Sequence, residues 1–231
     1  MSLSSSISRS LSALILIASL FGCSGKQVDP NEPGQLFQEA EEDIKSDHYQ
    51  IAIDRLRSIK NKFPYSKFAI DAQLRMADVY FLQESYPEAA ASYEAFHELH
   101  PKHEKTAYVM FRAAKSYFND APTQVARDLG PANKSLASYN DFLSKFPQDP
   151  QAAEAKADVE SIRNLLADKE VYIADFYAKR DAYDSAAERY KKVIALYPET
   201  KAAESSKPKL ELAEKKILEL QSSKEAKEGS N

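Results

Sequence analysis

Four apolar segments of this chain close on the same signal: Lys62-Phe63-Pro64, Leu99-His100-Pro101, Lys145-Phe146-Pro147 and Leu196-Tyr197-Pro198. Twelve positions before each proline stands a small residue, Ala52, Ala89, Ser135 or Ala186, and four positions after that a large one, Leu56, Tyr93, Tyr139 or Tyr190. Spacing of this kind is a packing instruction. Two antiparallel helices approach closely where one offers a small side chain, and a large residue one turn further on fills the groove beside it. The proline then stops the helix, because it has no N–H to donate and bars helical geometry from the residue before it. A single alanine or tyrosine would carry little weight; four occurrences in one register constrain the whole chain to stacked helix pairs.

The partner helix repeats as well. Ala77 and Tyr80 stand at the same offsets from Pro101 as Ala174 and Tyr177 do from Pro198. Ala114 and Tyr117 match this pattern in the third unit, but about nine extra residues, around Ala121-Pro122-Thr123-Gln124-Val125-Ala126-Arg127, precede its second helix. This is the tetratricopeptide pattern, a helix pair of about 34 residues. The fold class is therefore all-α, a tetratricopeptide-repeat helical solenoid of about nine helices. With only 5 glycines and no tryptophan, the chain is poor in tight turns. Helices are predicted at 33–46, 49–63, 66–84, 86–100, 104–118, 131–146, 150–180, 182–197 and 201–222, with Pro87 and Asp181 at turns. The domain organisation is a signal peptide over 1–22, a tether over 23–32, repeats over 33–222 and a polar tail over 223–231. The 119–130 insertion is expected to form a loop on one face.

The amino terminus carries an address. An apolar run from Leu11 to Phe21, preceded by Arg9, gives way at Gly22 to Cys23, the only cysteine in the chain. The run is too short to span a bilayer and reads as an export signal. Leu20-Phe21-Gly22-Cys23 resembles the bacterial lipobox, although Phe21 is bulkier than that pattern usually has. The resemblance implies a diacylglycerol thioether and an N-acyl chain on Cys23, with no other cofactor. Several acyl chains exceed what stable anchoring needs. Ser24, where an aspartate would favour inner-membrane retention, points to the periplasmic face of the outer membrane. Without Arg9 the chain has 30 basic against 35 acidic residues, which gives no reason to expect nucleic acid as a partner. No second cysteine exists to brace the fold, so packing must stabilise it.

No catalytic constellation emerges. There is no phosphate-cradling glycine loop, no zinc-protease histidine pair and no cysteine beyond the lipidation site, so no enzymatic activity is expected. His97, His100 and His103 are interrupted by Pro101 and read best as a solvated helix end. The acidic run Glu39 to Asp43 reads as an exposed face. What a helix-pair solenoid offers instead is a long inner surface made by the first helix of each pair. The repeat phase projects onto it Phe37 and Glu41, then Leu74, Asp78 and Phe81, then Tyr108, Phe111, Lys115 and Phe118, with Arg75 and Arg112 at its edge. Aromatic side chains beside basic groups suit an extended peptide ending in an aromatic residue and a free carboxylate. The alternative is that several of these residues form inter-repeat core.

Across nearly its whole length after Cys23 the chain resembles the BamD family of outer-membrane β-barrel assembly lipoproteins. The resemblance rests on Asn61 to Ser66, Tyr108-Val109-Met110-Phe111, Arg127-Asp128-Leu129-Gly130-Pro131-Ala132, Phe142 to Pro147, and Val171 to Tyr183. It implies a nonenzymatic scaffold whose C-terminal repeats dock a POTRA domain of a BamA-type barrel protein. It also implies N-terminal repeats that receive unfolded outer-membrane proteins, and contacts with accessory lipoproteins. Arg189 and Arg180 match family arginines on the POTRA side, although by spacing alone both could be ordinary exposed charges. The short insertion and the polar carboxyl terminus depart from well-known members. A pilotin or another periplasmic repeat lipoprotein that chaperones a secretin or a cell-wall machine would share the anchor and the repeats.

Overall fold

The computed structural model describes residues 32–228, within which the chain forms helices and connecting turns. The helices are α1 (Pro33–Lys45), α2 (Tyr49–Lys62), α3 (Lys67–Leu82), α4 (Tyr86–Leu99), α5 (Thr106–Asp120), α6 (Gly130–Lys145), α7 (Ala152–Ala178), α8 (Tyr183–Leu196) and α9 (Lys201–Glu228). Each packs against its neighbours in sequence, and α1 touches α3, α5 touches α7 and α7 touches α9. The first helices of the pairs thus form one row of the solenoid. The segment read as an export signal and Cys23 lie outside the described residues.

The repeat signal is realised atom by atom. Phe63, His100, Phe146 and Tyr197 leave helical geometry with φ between -127° and -130°. Each still donates its N–H to the carbonyl four residues back, and the following proline permits no further turn. The small and large positions are buried: Ala52, Leu56, Ala89, Tyr93, Ser135, Tyr139 and Ala186 are fully enclosed and Tyr190 is 2% exposed. Each large side chain contributes roughly 1.5–3 kcal/mol through burial. Serine is tolerated at position 135 because its hydroxyl donates to the Ala114 carbonyl at 2.9 Å. The matching alanines of the first helices, Ala40, Ala77, Ala114 and Ala174, are all at 0% exposure, which extends the register to the first repeat.

The turns within the pairs have their own signature. Asp47, Glu84 and Asp181 adopt left-handed backbone with φ of 59°, 61° and 57°. They occupy one register position, seventeen residues before their prolines. Asp47 and Asp181 accept the hydroxyls of Tyr49 and Tyr183, each at 2.7 Å. Pro87 is the second residue of α4 and not part of the turn, a place where its missing N–H costs nothing. In the third pair, residues 121–129 form the expected loop. Leu129 anchors it in the core, and Lys169 of α7 donates to the Arg127 carbonyl at 3.0 Å.

Two expectations need correction. The closing helix continues through Pro208 to Glu228, so most of the segment read as a polar tail is helical. The histidine segment is not simply solvated: His100 and His103 pack on Phe96 with ring centroids 4.9 and 5.2 Å apart, and the His97 Nδ1 is buried without a hydrogen-bond partner.

Candidate functional site

The residue directly after each buried alanine of a first helix faces the row, and there the chain places Glu41, Asp78, Lys115 and Asp175. Around these four positions a set of polar contacts recurs from repeat to repeat. In the second and fourth pairs the buried tyrosine of the second helix donates to the aspartate of the first: Tyr93 to Asp78 and Tyr190 to Asp175, both at 2.6 Å. These bonds explain why tyrosine and not phenylalanine fills the groove, since a buried hydroxyl needs a partner. In the third pair the acid is replaced by Lys115, and Tyr139 donates instead to Asp158 of α7 at 2.6 Å. Lys115 closes that cluster, 2.7 Å from Asp158 and 2.8 Å from Glu154. Burial opposes the lysine charge, but the two carboxylates outweigh it and hold the amine above its ordinary value. The first pair has Leu56 where the others have tyrosine, so Glu41 receives no phenol from its own repeat.

Cations from the next repeat complete the pattern. Arg75, 34 residues beyond Glu41, donates Nε and Nη2 to its two carboxylate oxygens at 2.6 and 2.9 Å. That fork, with burial working against it, holds the guanidinium above its ordinary value. Arg112, 34 residues beyond Asp78, lies 3.5 Å over the Phe81 ring and donates to the Tyr93 hydroxyl at 3.2 Å. Tyr108 adds a second phenol to Asp78 at 2.7 Å. Burial first, and then the Asp78 charge, push the Tyr108 hydroxyl up to about 12. Lys209, 34 residues beyond Asp175, donates to both of its oxygens at 2.9 Å.

The groove residues expected from the sequence are therefore only partly gathered. Phe37, Glu41, Leu74 and Arg75 line one open cleft of about 450 Å³ together with Asp71, Asp78 and Lys105. Leu74 is 4% exposed and contributes its floor. Phe81, Tyr108 and Arg112 form the adjoining cluster, joined to the cleft through Asp78. Phe111 is not on the wall. It is buried between α5 and α6, with ring centroids 5.8 Å from Tyr139 and 5.7 Å from Phe142. Lys115 is absorbed by α7 as described. The acidic run is also more than an exposed face, since Glu39 and Asp43 both bind Arg55 of α2.

The two C-terminal arginines sit in different settings. Arg180, in the exposed turn after α7, stacks 3.7 Å over the ring of Phe176, a residue 45% exposed. Tyr172, one turn earlier, is also exposed. Arg189 of α8 donates to Glu170 of α7 at 2.7 Å, and Lys192 reaches the other oxygen of the same carboxylate at 2.5 Å. Burial would raise the Glu170 pKa, but the two cations hold it below its ordinary value. The phenol–carboxylate pairs went unnoticed in the sequence. Their signal was an Ala-Asp dipeptide fifteen residues before a groove tyrosine, present at 77–78 and 174–175.

Residues 29–230 match the model of the YfiO family, described as an outer membrane lipoprotein. The outer membrane protein assembly factor BamD of Vibrio cholerae is 28% identical over 209 residues, covering 86% of this chain and 87% of that one. BamD of Neisseria gonorrhoeae is 32% identical over 192 residues, 79% of this chain and 72% of its own. A tetratricopeptide repeat protein of known structure from Parabacteroides merdae aligns over 82% of this chain and 76% of its own at 15% identity, with a TM-score of 0.42. The repeat assignment rests on the register of buried alanines, tyrosines and prolines given above. With a family match that spans every helix and relatives of this identity over most of their length, the chain belongs to the YfiO family of outer-membrane lipoproteins, the family of the BamD assembly factors.

Proposed function

We propose that this protein is a nonenzymatic scaffold of outer-membrane β-barrel assembly, tethered by acyl chains on Cys23 to the periplasmic face of the outer membrane. The observation that carries the reading is the family match over residues 29–230. Two faces divide the work. The C-terminal repeats, with Arg180 and Arg189, dock a POTRA domain of a BamA-type barrel protein. The N-terminal row, with Phe37, Leu74, Arg75, Phe81, Tyr108 and Arg112, receives unfolded outer-membrane proteins in extended form. The cleft between α1 and α3 and the aromatic and cationic cluster beside it support this second assignment, because they offer ring faces and guanidinium groups to a peptide that carries an aromatic residue and a carboxylate. Arg189 is held by Glu170, so a partner carboxylate would have to join or replace that pair. An arginine desolvated at an interface carries far more binding energy than a surface ion pair.

The test is purification of the full-length lipidated protein from membranes solubilised in mild detergent, with stoichiometric partners identified by mass spectrometry. Recovery of a POTRA-bearing barrel protein is expected, with loss of at least about tenfold in yield for Arg189→Ala. Recovery of a secretin or a cell-wall synthesis protein without that barrel protein would overturn the reading.

A further inference from the structure

Within the proposed substrate groove, the cleft is already occupied by a group of the chain itself. Of the four residues that follow the buried first-helix alanines, Glu41 alone has a leucine, Leu56, in the place where the same repeat or its neighbour supplies a tyrosine hydroxyl to an acid. Freed from that bond, Glu41 turns its carboxylate to the next repeat and takes both forks of Arg75, at 2.6 and 2.9 Å. The pair is not buried for packing: the side chains of Arg75 and Glu41 remain 27% and 30% exposed and line the open cleft. Arg75 also lies 3.6 Å from Asp78, whose carboxylate is already engaged by Tyr93 and Tyr108.

The charge of the cleft bears on what can enter it. Three carboxylates, Glu41, Asp71 and Asp78, face two cations, Arg75 and Lys105. A fourth carboxylate added while Glu41 stays in place is unfavourable, whereas one that takes over the Arg75 fork as the Glu41 side chain, already 30% exposed, swings toward solvent meets a cation in place of an added anion. The planar fork of arginine takes one carboxylate in bidentate geometry at a time. We propose that Glu41 is an internal ligand of this groove, and that a substrate carboxylate binds by displacing Glu41 from Arg75. This rests on the reading that the groove receives substrate segments. Glu41 then sets the threshold of the site: weak carboxylate ligands leave the internal pair closed, and those that also seat an aromatic ring against Phe37 open it.

The experiment uses the full chain in detergent and two synthetic peptides that end in phenylalanine, one with a free carboxylate and one amidated, with binding followed by fluorescence anisotropy. Glu41→Gln keeps the size and the helical position while removing the competing charge. The expected result is that the free-acid peptide binds the Glu41→Gln protein about fivefold more tightly than the wild type, with the amidated peptide unaffected. Arg75→Ala should abolish the preference for the free acid in both backgrounds. If the wild type prefers the free acid and Arg75→Ala removes that preference, but Glu41→Gln does not tighten binding, the groove stands and the internal-ligand proposal falls. If no variant distinguishes acid from amide, both fall. Circular dichroism and urea midpoints of the wild type and the three variants verify that the fold is kept.

Discussion

Asp158 is the polar residue whose removal should be felt most. Its carboxylate is 8% exposed as a residue and holds together three helices: it accepts the Tyr139 hydroxyl of α6 at 2.6 Å and the Lys115 amine of α5 at 2.7 Å. In Asp158→Ala the Tyr139 hydroxyl, on a residue with 0% exposure, loses its acceptor, which costs about 1–3 kcal/mol. Lys115 keeps Glu154 at 2.8 Å, which partly offsets the lost Asp158 pair, so that loss adds about 1 kcal/mol. The alanine protein should therefore be destabilised by about 3 kcal/mol, a fall in Tm of about 6–12 °C for a chain of this size. Tyr139→Phe alone should cost about 1 kcal/mol, since it deletes the hydroxyl without opening a cavity. The double variant should be less destabilised than the sum of the singles, by about 1–2 kcal/mol, because Asp158→Ala no longer strands a phenol. Urea unfolding with linear extrapolation measures all four corners of the cycle at a common slope. A loss below about 0.5 kcal/mol for Asp158→Ala, or strict additivity in the cycle, would refute the claim that this carboxylate satisfies the buried phenol.

Acid should weaken the C-terminal repeats. Glu170 and Asp175 are held below their ordinary values of 4.5 and 3.8, because bonds to Lys192 and Arg189, and to Lys209 and Tyr190, outweigh burial. The folded chain therefore binds fewer protons than the unfolded one, and the stability these groups contribute is complete above pH 4.5 and is lost as pH falls below it. Urea midpoints across that range check it, and Glu170→Gln should flatten the decline. Base should act through the phenols. Burial first, and then the neighbouring aspartates, push the Tyr93, Tyr139 and Tyr190 hydroxyls above 10, so stability present below pH 10 is lost as pH rises past it. Tyrosinate absorbance should show a late-titrating fraction that ionises only as helicity disappears. Glu84, at φ 61°, is an unfavourable residue in left-handed backbone, and Glu84→Gly should raise stability by about 1 kcal/mol in the same urea assay.

The large features of the fold were legible because they depend on packing, which leaves a periodic trace. Prolines, small residues and tyrosines at fixed offsets located the helix pairs, and the insertion disclosed itself as a shift of register before Ser135. The length of α9 was less legible: a segment rich in lysine, glutamate and serine has no apolar stripe to mark where a helix ends, and the structure carries it to Glu228. The candidate site was half legible. Repeat phase placed Phe37 and Leu74 on one wall with Arg75 at its edge, yet it could not say that Phe111 would turn inward to meet Tyr139 and Phe142. Nor could phase reveal pairings between repeats. Whether Arg75 waits for a ligand or holds Glu41 depends on a contact 34 residues away in sequence, and on the absence of a hydroxyl at Leu56. Charges on a projected surface do not disclose their partners until the neighbouring repeat is in place.

The proposed function assigns the two ends of this solenoid to two different partners in one assembly machine. Site-specific photocrosslinking in growing cells tests it most directly, with the probe placed in turn at exposed Glu188 beside Arg189 and at exposed Gln38 beside the cleft. A single POTRA-bearing barrel protein is expected to crosslink from position 188, and a heterogeneous set of unfolded outer-membrane proteins, present only during their synthesis, from position 38. A secretin or a cell-wall protein at position 188, or the same folded partner at both positions, would contradict it.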